Sequence, residues 1–186
     1  MVIVLLGAIL TVFAGTHLDR RTGVEVNNFL NSNTLVQTAT DASFFAIMAV
    51  GATFVIISGG IDLSVGSVYA LTGVTMALAL RALAPSSGLA TVLIGLAISV
   101  AVGLVCGILN GLMVVGLPVH PFVITLGTMW ILRGLAFVIS RAESILVPAS
   151  LTAMAKASLG LTASLYPVPM LIMIAAAILG MLYLER

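Results

Sequence analysis

The longest charge-free stretch of the chain most limits what it can fold into. Residues 82–132 contain no Asp, Glu, Lys or Arg. About a quarter of the residues in a soluble protein are charged, whereas here the charged fraction is 7% and the hydrophobic fraction is 61%. A membrane-spanning helix needs about 20 predominantly apolar residues, so this stretch is long enough for two. The chain is therefore predicted to be an integral membrane protein.

Six apolar runs along the chain are candidates for spanning helices. They cover residues 2–16, 42–58, 63–80, 89–109, 119–139 and 165–184. The first run is short for a span, but no Lys or Arg precedes Arg20, so it lacks the positive start of a signal peptide. We predict an all-α fold, a polytopic transmembrane helical bundle with interrupted helices, in a single domain over residues 1–186.

Two longer connections separate these runs. Residues 16–42 hold nearly all the asparagines and several charges, so they are predicted to be solvated or interfacial. Residues 141–164 are predicted to include a short amphipathic helix on the membrane surface, with Leu151, Met154 and Leu159 on one face.

The helices are interrupted where glycine, proline and polar residues replace the apolar pattern. The first break is "SGGIDLSVGS" at residues 58–67, and the second covers residues 110–121. In lipid an unpaired backbone group costs several kcal/mol, so such breaks persist only inside protein or beside a water-filled cavity. Transporters use broken helices to present free backbone dipoles to a substrate. The candidate pathway or helix-break residues are Gly59, Gly60, Asp62, Ser64, Gly66, Asn110, Gly111, Pro118, Pro121, Thr125, Gly127, Thr128 and Arg133.

Asp62 is the one charged residue in the range 42–80, and two roles fit it. Gly59 and Gly60 let the chain turn, after which Asp62 or Ser64 can accept hydrogen bonds from the first backbone donors of a helix that begins near Ser64. The alternative is that Asp62 faces a polar pathway, as intramembrane carboxylates often do. Burial of the ionised Asp62 carboxylate without a partner is excluded, because a charged Asp at a helix centre costs about 2.5–3.5 kcal/mol. Asp62 can cap the helix and line a pathway at the same time.

The other candidates also admit purely structural explanations. Asn110 with Gly111 is most simply a helix C-cap, although the amide can reach a pathway. Thr125 and Thr128 flank a glycine, which favours close helix approach and hydrogen bonds back to the preceding turn. Arg133 lies inside a predicted span, where it can snorkel, pair with the carboxylate of the first break or line a cavity. The sequence leaves these three alternatives open.

Catalytic and metal-binding constellations are absent from the sequence. His17 and His120 lie far apart without HExxH spacing, and no GxxxxGK[ST] phosphate loop occurs. The single cysteine, Cys106, lies in an apolar run and is predicted to be a small buried hydrophobe. A net charge of +1 gives no basis for binding nucleic acid. We predict a protein that is not an enzyme and binds no cofactor or metal, so any nucleotide hydrolysis belongs to another subunit.

Two segments together resemble a known family. "SGGIDLSVGSVYALTGV" followed by "GLVCGILNGLMVVGLPVHPFVITLGTMWILRGLAFVIS" is similar to the membrane permease subunits of bacterial ABC importers for ribose and related sugars. The family signature pairs GGIDLSVG with a later NG...PPFIVTLGT...RGLA segment. Residues 59–66 and 110–136 match both in order and spacing, and a weaker match extends from about residue 26 to the C-terminus.

The resemblance implies a multi-pass protein of the inner membrane that works with other subunits. These are a second permease in a homodimer or heterodimer, cytosolic ATP-binding subunits, and a periplasmic or lipid-anchored sugar-binding protein. The implied substrate is ribose or a related small sugar, moved by alternating access. Relatives of this kind also handle other sugars, autoinducers or nucleosides.

The chain departs from the family pattern at two points. The family usually has two adjacent prolines, where this chain reads Pro118, Val119, His120, Pro121. Family members also continue into a cytoplasmic loop that docks on the ATPase, so a permease truncated at its C-terminus is expected. From the residues alone, an ion-coupled secondary carrier or channel for a small polar solute is the alternative, since broken helices suit it equally.

Overall fold

The structure is a computed structural model that describes residues 1–18, 23–155 and 167–185. The described residues form helices and one pair of short strands, in the order α1 Val2–Phe13, β1 Thr16–Leu18, β2 Glu25–Asn27, α2 Ser32–Ile57, α3 Val65–Leu83, α4 Gly88–Gly116, α5 Pro121–Ser140, α6 Ala149–Ala155 and α7 Pro167–Leu184. The predicted all-α fold is confirmed. The chain divides into two compact units, Met1–Ile47 with Lys156–Arg186 and Met48–Ala155. The single domain and the six spans stay predictions.

Within the described residues, four helices are long and apolar enough to cross a membrane. They are Thr34–Ile57, Val65–Leu83, Gly88–Gly116 and Pro121–Ser140, and the apolar helices Val2–Phe13 and Val168–Leu184 are shorter. Large apolar side chains stay on the outside of these helices: Leu104, Ile108 and Leu112 are 61%, 51% and 65% exposed. Lipid tails are as apolar as leucine, so such surfaces are stable in a bilayer. The chain is a multi-pass membrane protein.

The first unit contains a small antiparallel hairpin after α1. Strands β1 and β2 pair with His17 opposite Val26. The side chains of Asn27 and Asn28 donate to the carbonyl oxygens of Thr11 and Ala14 at the end of α1, both at 2.7 Å. Asparagines therefore satisfy carbonyl groups that the helix end leaves free, which accounts for their concentration in this connection.

The second unit is built on α3, which packs against α4 and α5. Its core joins Leu71 of α3, Cys106 of α4 and Ala136 of α5, so Cys106 is the small buried residue predicted. Small residues also bring α3 and α4 close: a Cβ added to Gly95 would lie 3.4 Å from the sulfur of Met76. Close approach of this kind is what stabilises helix pairs in lipid.

Two helix boundaries differ most from the predicted ones. Helix α2 begins at Ser32 rather than at residue 42, and α4 continues to Gly116 rather than ending at residue 109. The second break is therefore confined to residues 117–120. The C-cap predicted at Asn110 and Gly111 is wrong, because both residues lie inside α4. A polar residue persists there because its amide finds a partner across the unit, as described below.

Residues 141–164, for which a short amphipathic helix is predicted, contain α6, and its location at the membrane surface stays a prediction. Its Ser150 hydroxyl donates to the hydroxyl of Thr91 at 3.1 Å, which attaches α6 to the first turn of α4. Thr91 is fully buried. Leu151 lies in α6, whereas Leu159 and the side chain of Met154 lie outside the described residues.

Candidate functional site at a helix break

Helix α2 ends in a glycine turn that leads into the first break. Gly59 adopts a left-handed conformation with φ of 78°. Its N–H donates to the carbonyl of Ile56 at 3.0 Å, and the N–H of Gly60 donates to that of Val55 at 2.9 Å. This pair of bonds is a Schellman motif, which satisfies the last carbonyls of a helix and favours glycine at the left-handed position. The turning role predicted for the two glycines fits this geometry.

Substitution of Gly59 by Ala is expected to destabilise the protein by about 1 kcal/mol, because a side chain disfavours the left-handed backbone. Gly66→Ala is the matched control, since Gly66 lies in α3 with open space around an added Cβ. The measurement is denaturant unfolding of the two purified variants in detergent. Equal stability of both variants would show that the turn at Gly59 is not under conformational constraint.

The first break is held by a chain of hydrogen bonds centred on Ser64. Oδ1 of Asp62 accepts from the backbone N–H of Ser64 at 2.7 Å and from its hydroxyl at 2.6 Å. The amide Nδ2 of Asn110 donates to the same hydroxyl at 2.7 Å. Ser64 is completely buried, and Asn110 is 8% exposed. Asp62 thus organises the turn before α3, while the Ser64 side chain, predicted as an alternative cap, makes no cap hydrogen bond.

Helix α5 fastens the other side of the break. The hydroxyl of Thr125 donates to the carbonyl of Ile61 at 3.0 Å and to that of Phe122 at 3.3 Å. Thr125 is 3% exposed. The helix begins with His120 as N-cap, whose Nδ1 accepts from the N–H of Phe122, and with Pro121 in the first turn. Proline suits that position because its missing N–H has no partner there in any helix.

A cavity of about 370 Å³ lies between these elements. Its walls come from the end of α2, the break, the middle of α4 and the start of α5. The lining residues are Val55, Ser58, Gly59, Gly60, Ile61, Asp62, Gly107, Asn110, Gly111, Val114, Pro121 and Thr125. A volume of roughly 300–1,000 Å³ is typical of small-molecule sites.

Seven of the thirteen sequence candidates line this cavity: Gly59, Gly60, Asp62, Asn110, Gly111, Pro121 and Thr125. Ser64 joins them through its hydrogen bonds to Asp62 and Asn110. Five candidates are not part of the lining: Gly66, Pro118, Gly127, Thr128 and Arg133. The structure therefore brings both predicted breaks to one place, although only part of the second contributes.

Candidates outside the cavity have other surroundings. Thr128 donates to the carbonyl of Thr125 at 3.2 Å, which is the predicted bond to the preceding turn. Gly127 has no atom within 4 Å of an added Cβ, so the close helix approach expected there is wrong for the described residues. Arg133 is exposed on α5. Pro118 lies in the short connection between α4 and α5.

Some residues that line the cavity are not among those predicted from the sequence. Val55, Ile61 and Val114 supply apolar surface, and Gly107 supplies open space on α4. Gly103, Gly107 and Gly111 recur at intervals of four residues, and such spacing places small residues on one helix face. That repeat could have identified Gly107 as part of the site. No local pattern distinguishes Val55 and Val114 from the valines that face outward.

The electrostatics of the cavity are set by one carboxylate. Asp62 is the only residue with a formal charge among the lining residues. The first turns of α3 and α5 both adjoin the break, and helix N-termini carry partial positive charge. Within the described chain, no group of three or more His, Cys, Asp or Glu residues is placed to hold a metal ion. The site can bind and orient a small solute by hydrogen bonds and apolar contact.

Comparison with known proteins gives a consistent result. The family model for "branched-chain amino acid transport system / permease component" matches residues 34–186. The chain is 42% identical over 117 residues to the inner membrane ABC transporter permease protein YjfF of Escherichia coli K12, covering 63% of this chain and 34% of that protein.

Two further relatives are named for particular cargoes. The D-allose transport system permease protein AlsC of E. coli K12 is 38% identical over 117 residues, covering 63% of this chain and 34% of AlsC. The autoinducer 2 import system permease protein LsrD of Yersinia pestis Pestoides F is 33% identical over 118 residues, with the same coverage. The chain spans about a third of the length of these curated relatives. No solved structure matches it significantly.

Proposed function

Because the chain belongs to the family of permease components of branched-chain amino acid transport systems, we propose that it is the permease subunit of an ABC importer that carries a small sugar across the inner membrane. The observation that carries this proposal is the cavity at the first break. There a lone carboxylate from an otherwise uncharged membrane segment lines a space of about 370 Å³. Intramembrane carboxylates of this kind mark solute pathways.

The composition of the cavity supports a sugar as the solute. Asp62 and Asn110 offer oxygens that accept hydrogen bonds from hydroxyl groups. Val55, Ile61 and Val114 offer apolar surface to the C–H faces of a sugar ring. A few placed polar groups within mainly apolar walls are typical of small-molecule sites. The relatives named for D-allose and autoinducer 2 point to the same class of cargo, and we propose ribose or a related small sugar.

The partners in this proposal are those that the similarity to ABC importer permeases implies. The energy source is a pair of cytosolic ATP-binding subunits, in keeping with a sequence that holds no nucleotide-binding loop of its own. A second permease subunit and a periplasmic or lipid-anchored sugar-binding protein complete the importer. Asp62, Asn110 and Thr125 are the residues proposed to border the pathway.

The proposal is tested by co-expressing the chain with ATPase and sugar-binding subunits from its genomic neighbourhood. We expect the chain to co-purify with the ATPase. We also expect proteoliposomes of the complex to take up labelled ribose or allose only when ATP is present on the side of the membrane that carries the ATPase. A complex assembled without the ATPase is the control. Uptake by the chain without ATPase would favour an ion-coupled carrier, and absence of both capture and uptake would reject the proposal.

A further inference from the structure

We infer that Asn110 is a positioning residue of the cavity, which acts through Ser64 to fix the direction of the Asp62 carboxylate. The inference rests on the proposed function only for its uptake assay. Asn110 lies in the middle of α4, and its hydrogen bond to Ser64 bridges 46 residues of sequence at 2.7 Å. It is the only side chain of α4 with a described hydrogen bond to the break.

The direction of this hydrogen-bond chain follows from the carboxylate. An ionised carboxylate only accepts hydrogen bonds, so the Ser64 hydroxyl donates its one hydrogen to Oδ1 of Asp62. The oxygen of that hydroxyl is then left to accept from Asn110, and the group that donates must be the amide nitrogen. The direction of these hydrogen bonds thereby requires that the amide nitrogen of Asn110 faces Ser64, and the Oδ1 of Asn110 points away from Ser64.

Two acceptor oxygens are consequently presented to the cavity. Oδ2 of Asp62 and Oδ1 of Asn110 accept no hydrogen bond from the described part of the chain. Every fully buried side-chain oxygen or nitrogen there has a hydrogen-bond partner, so these two oxygens are not fully buried. Both oxygens are therefore accessible, and both residues line the cavity. The arrangement is suited to a neutral ligand rich in hydrogen-bond donors.

Asn110 controls this arrangement because it is the first donor in the series of hydrogen bonds and is held in place by helix α4. Without its amide, the Ser64 oxygen loses its donor and the hydroxyl is free to turn within a completely buried site. The hydroxyl bond that holds Asp62 in place then weakens, since linked hydrogen bonds reinforce one another. Asp62 keeps its bond to the Ser64 N–H, so the fold survives while the direction of Oδ2 becomes variable.

Asn110→Asp tests the direction of these hydrogen bonds. The substitution keeps the shape of the side chain but replaces the amide nitrogen, which donates to Ser64, with a carboxylate oxygen, which only accepts. The Ser64 hydroxyl then has two acceptors for its one hydrogen and no donor to its oxygen, so it no longer holds the Asp62 carboxylate in one direction.

We expect Asn110→Asp to lose at least about tenfold in uptake. Asn110→Leu also lacks a donor, so we expect a loss of the same size. Ser99→Ala is the matched control, because it removes a hydroxyl of α4 that contacts Met76 instead of the break. Uptake by Asn110→Asp equal to that by Ser99→Ala would overturn the inference.

A second assay does not require transport. In a Cys106→Ala background, Ser58→Cys places a thiol on the cavity wall, and its rate of reaction with a charged, membrane-impermeant thiol reagent reports access to the cavity. We expect Asn110→Leu to change this rate at least about threefold and Ser99→Ala to leave it unchanged. If wild type shows no uptake with any partner, the proposed function fails while this rate still tests the inference. Equal rates in all variants would overturn it.

Discussion

Asp62→Ala is expected to reduce sugar uptake by the assembled importer at least about tenfold and to lower the stability of the chain. The change removes the acceptor of both the N–H and the hydroxyl of Ser64. Ser64 is completely buried, so these donors cannot turn to water, and each orphaned donor costs about 1–3 kcal/mol. The change also removes the only charge from the cavity wall.

Asp62→Asn separates these two contributions. Its amide oxygen can still accept both hydrogen bonds from Ser64, whereas the negative charge is lost. We expect near-normal thermal stability with reduced uptake in this variant, measured by unfolding in detergent and by proteoliposome uptake. Normal uptake in both Asp62 variants, with unchanged unfolding, would remove Asp62 from the site.

Gly107→Leu is expected to block uptake, again at least about tenfold, without weakening the fold. Gly107 lines the cavity from α4, and no atom lies within 4 Å of a Cβ added to it. A leucine there fills cavity volume instead of colliding with a neighbour. Loss of a glycine from the middle of a helix also favours the helix by about 0.5–1 kcal/mol, so the chain should unfold no earlier than wild type.

Gly103→Leu is the matched control for this prediction. Gly103 lies one turn earlier on the same helix, also has open space around an added Cβ, and does not line the cavity. Both variants therefore change helix propensity and apolar surface equally, and only Gly107→Leu occupies the cavity. Equal uptake by the two variants would show that solute does not pass through this space.

Much of the site could be predicted from the sequence because its residues violate the local pattern. A carboxylate in apolar sequence, paired glycines and a proline near a span end each have a local reason to be unusual. Gly59 ends α2 and Asp62 organises the turn before α3, as the backbone and capping rules require. Thr125 was expected to be a packing residue, and its bond to Ile61 across the unit could not be anticipated.

The sequence by itself determined that this chain is a helical membrane protein with a break around Asp62, because hydropathy, glycine and an isolated charge act locally. Only the tertiary structure decided where α4 ends and what its polar face does. Local rules treat Asn110 as the end of a helix, but Ser64 supplies a buried acceptor from elsewhere in the chain, so the helix continues to Gly116. The positions of Val55 and Val114 around the cavity likewise depend on which helix faces meet. That choice is made by packing between distant segments, and no pattern within a single segment encodes it.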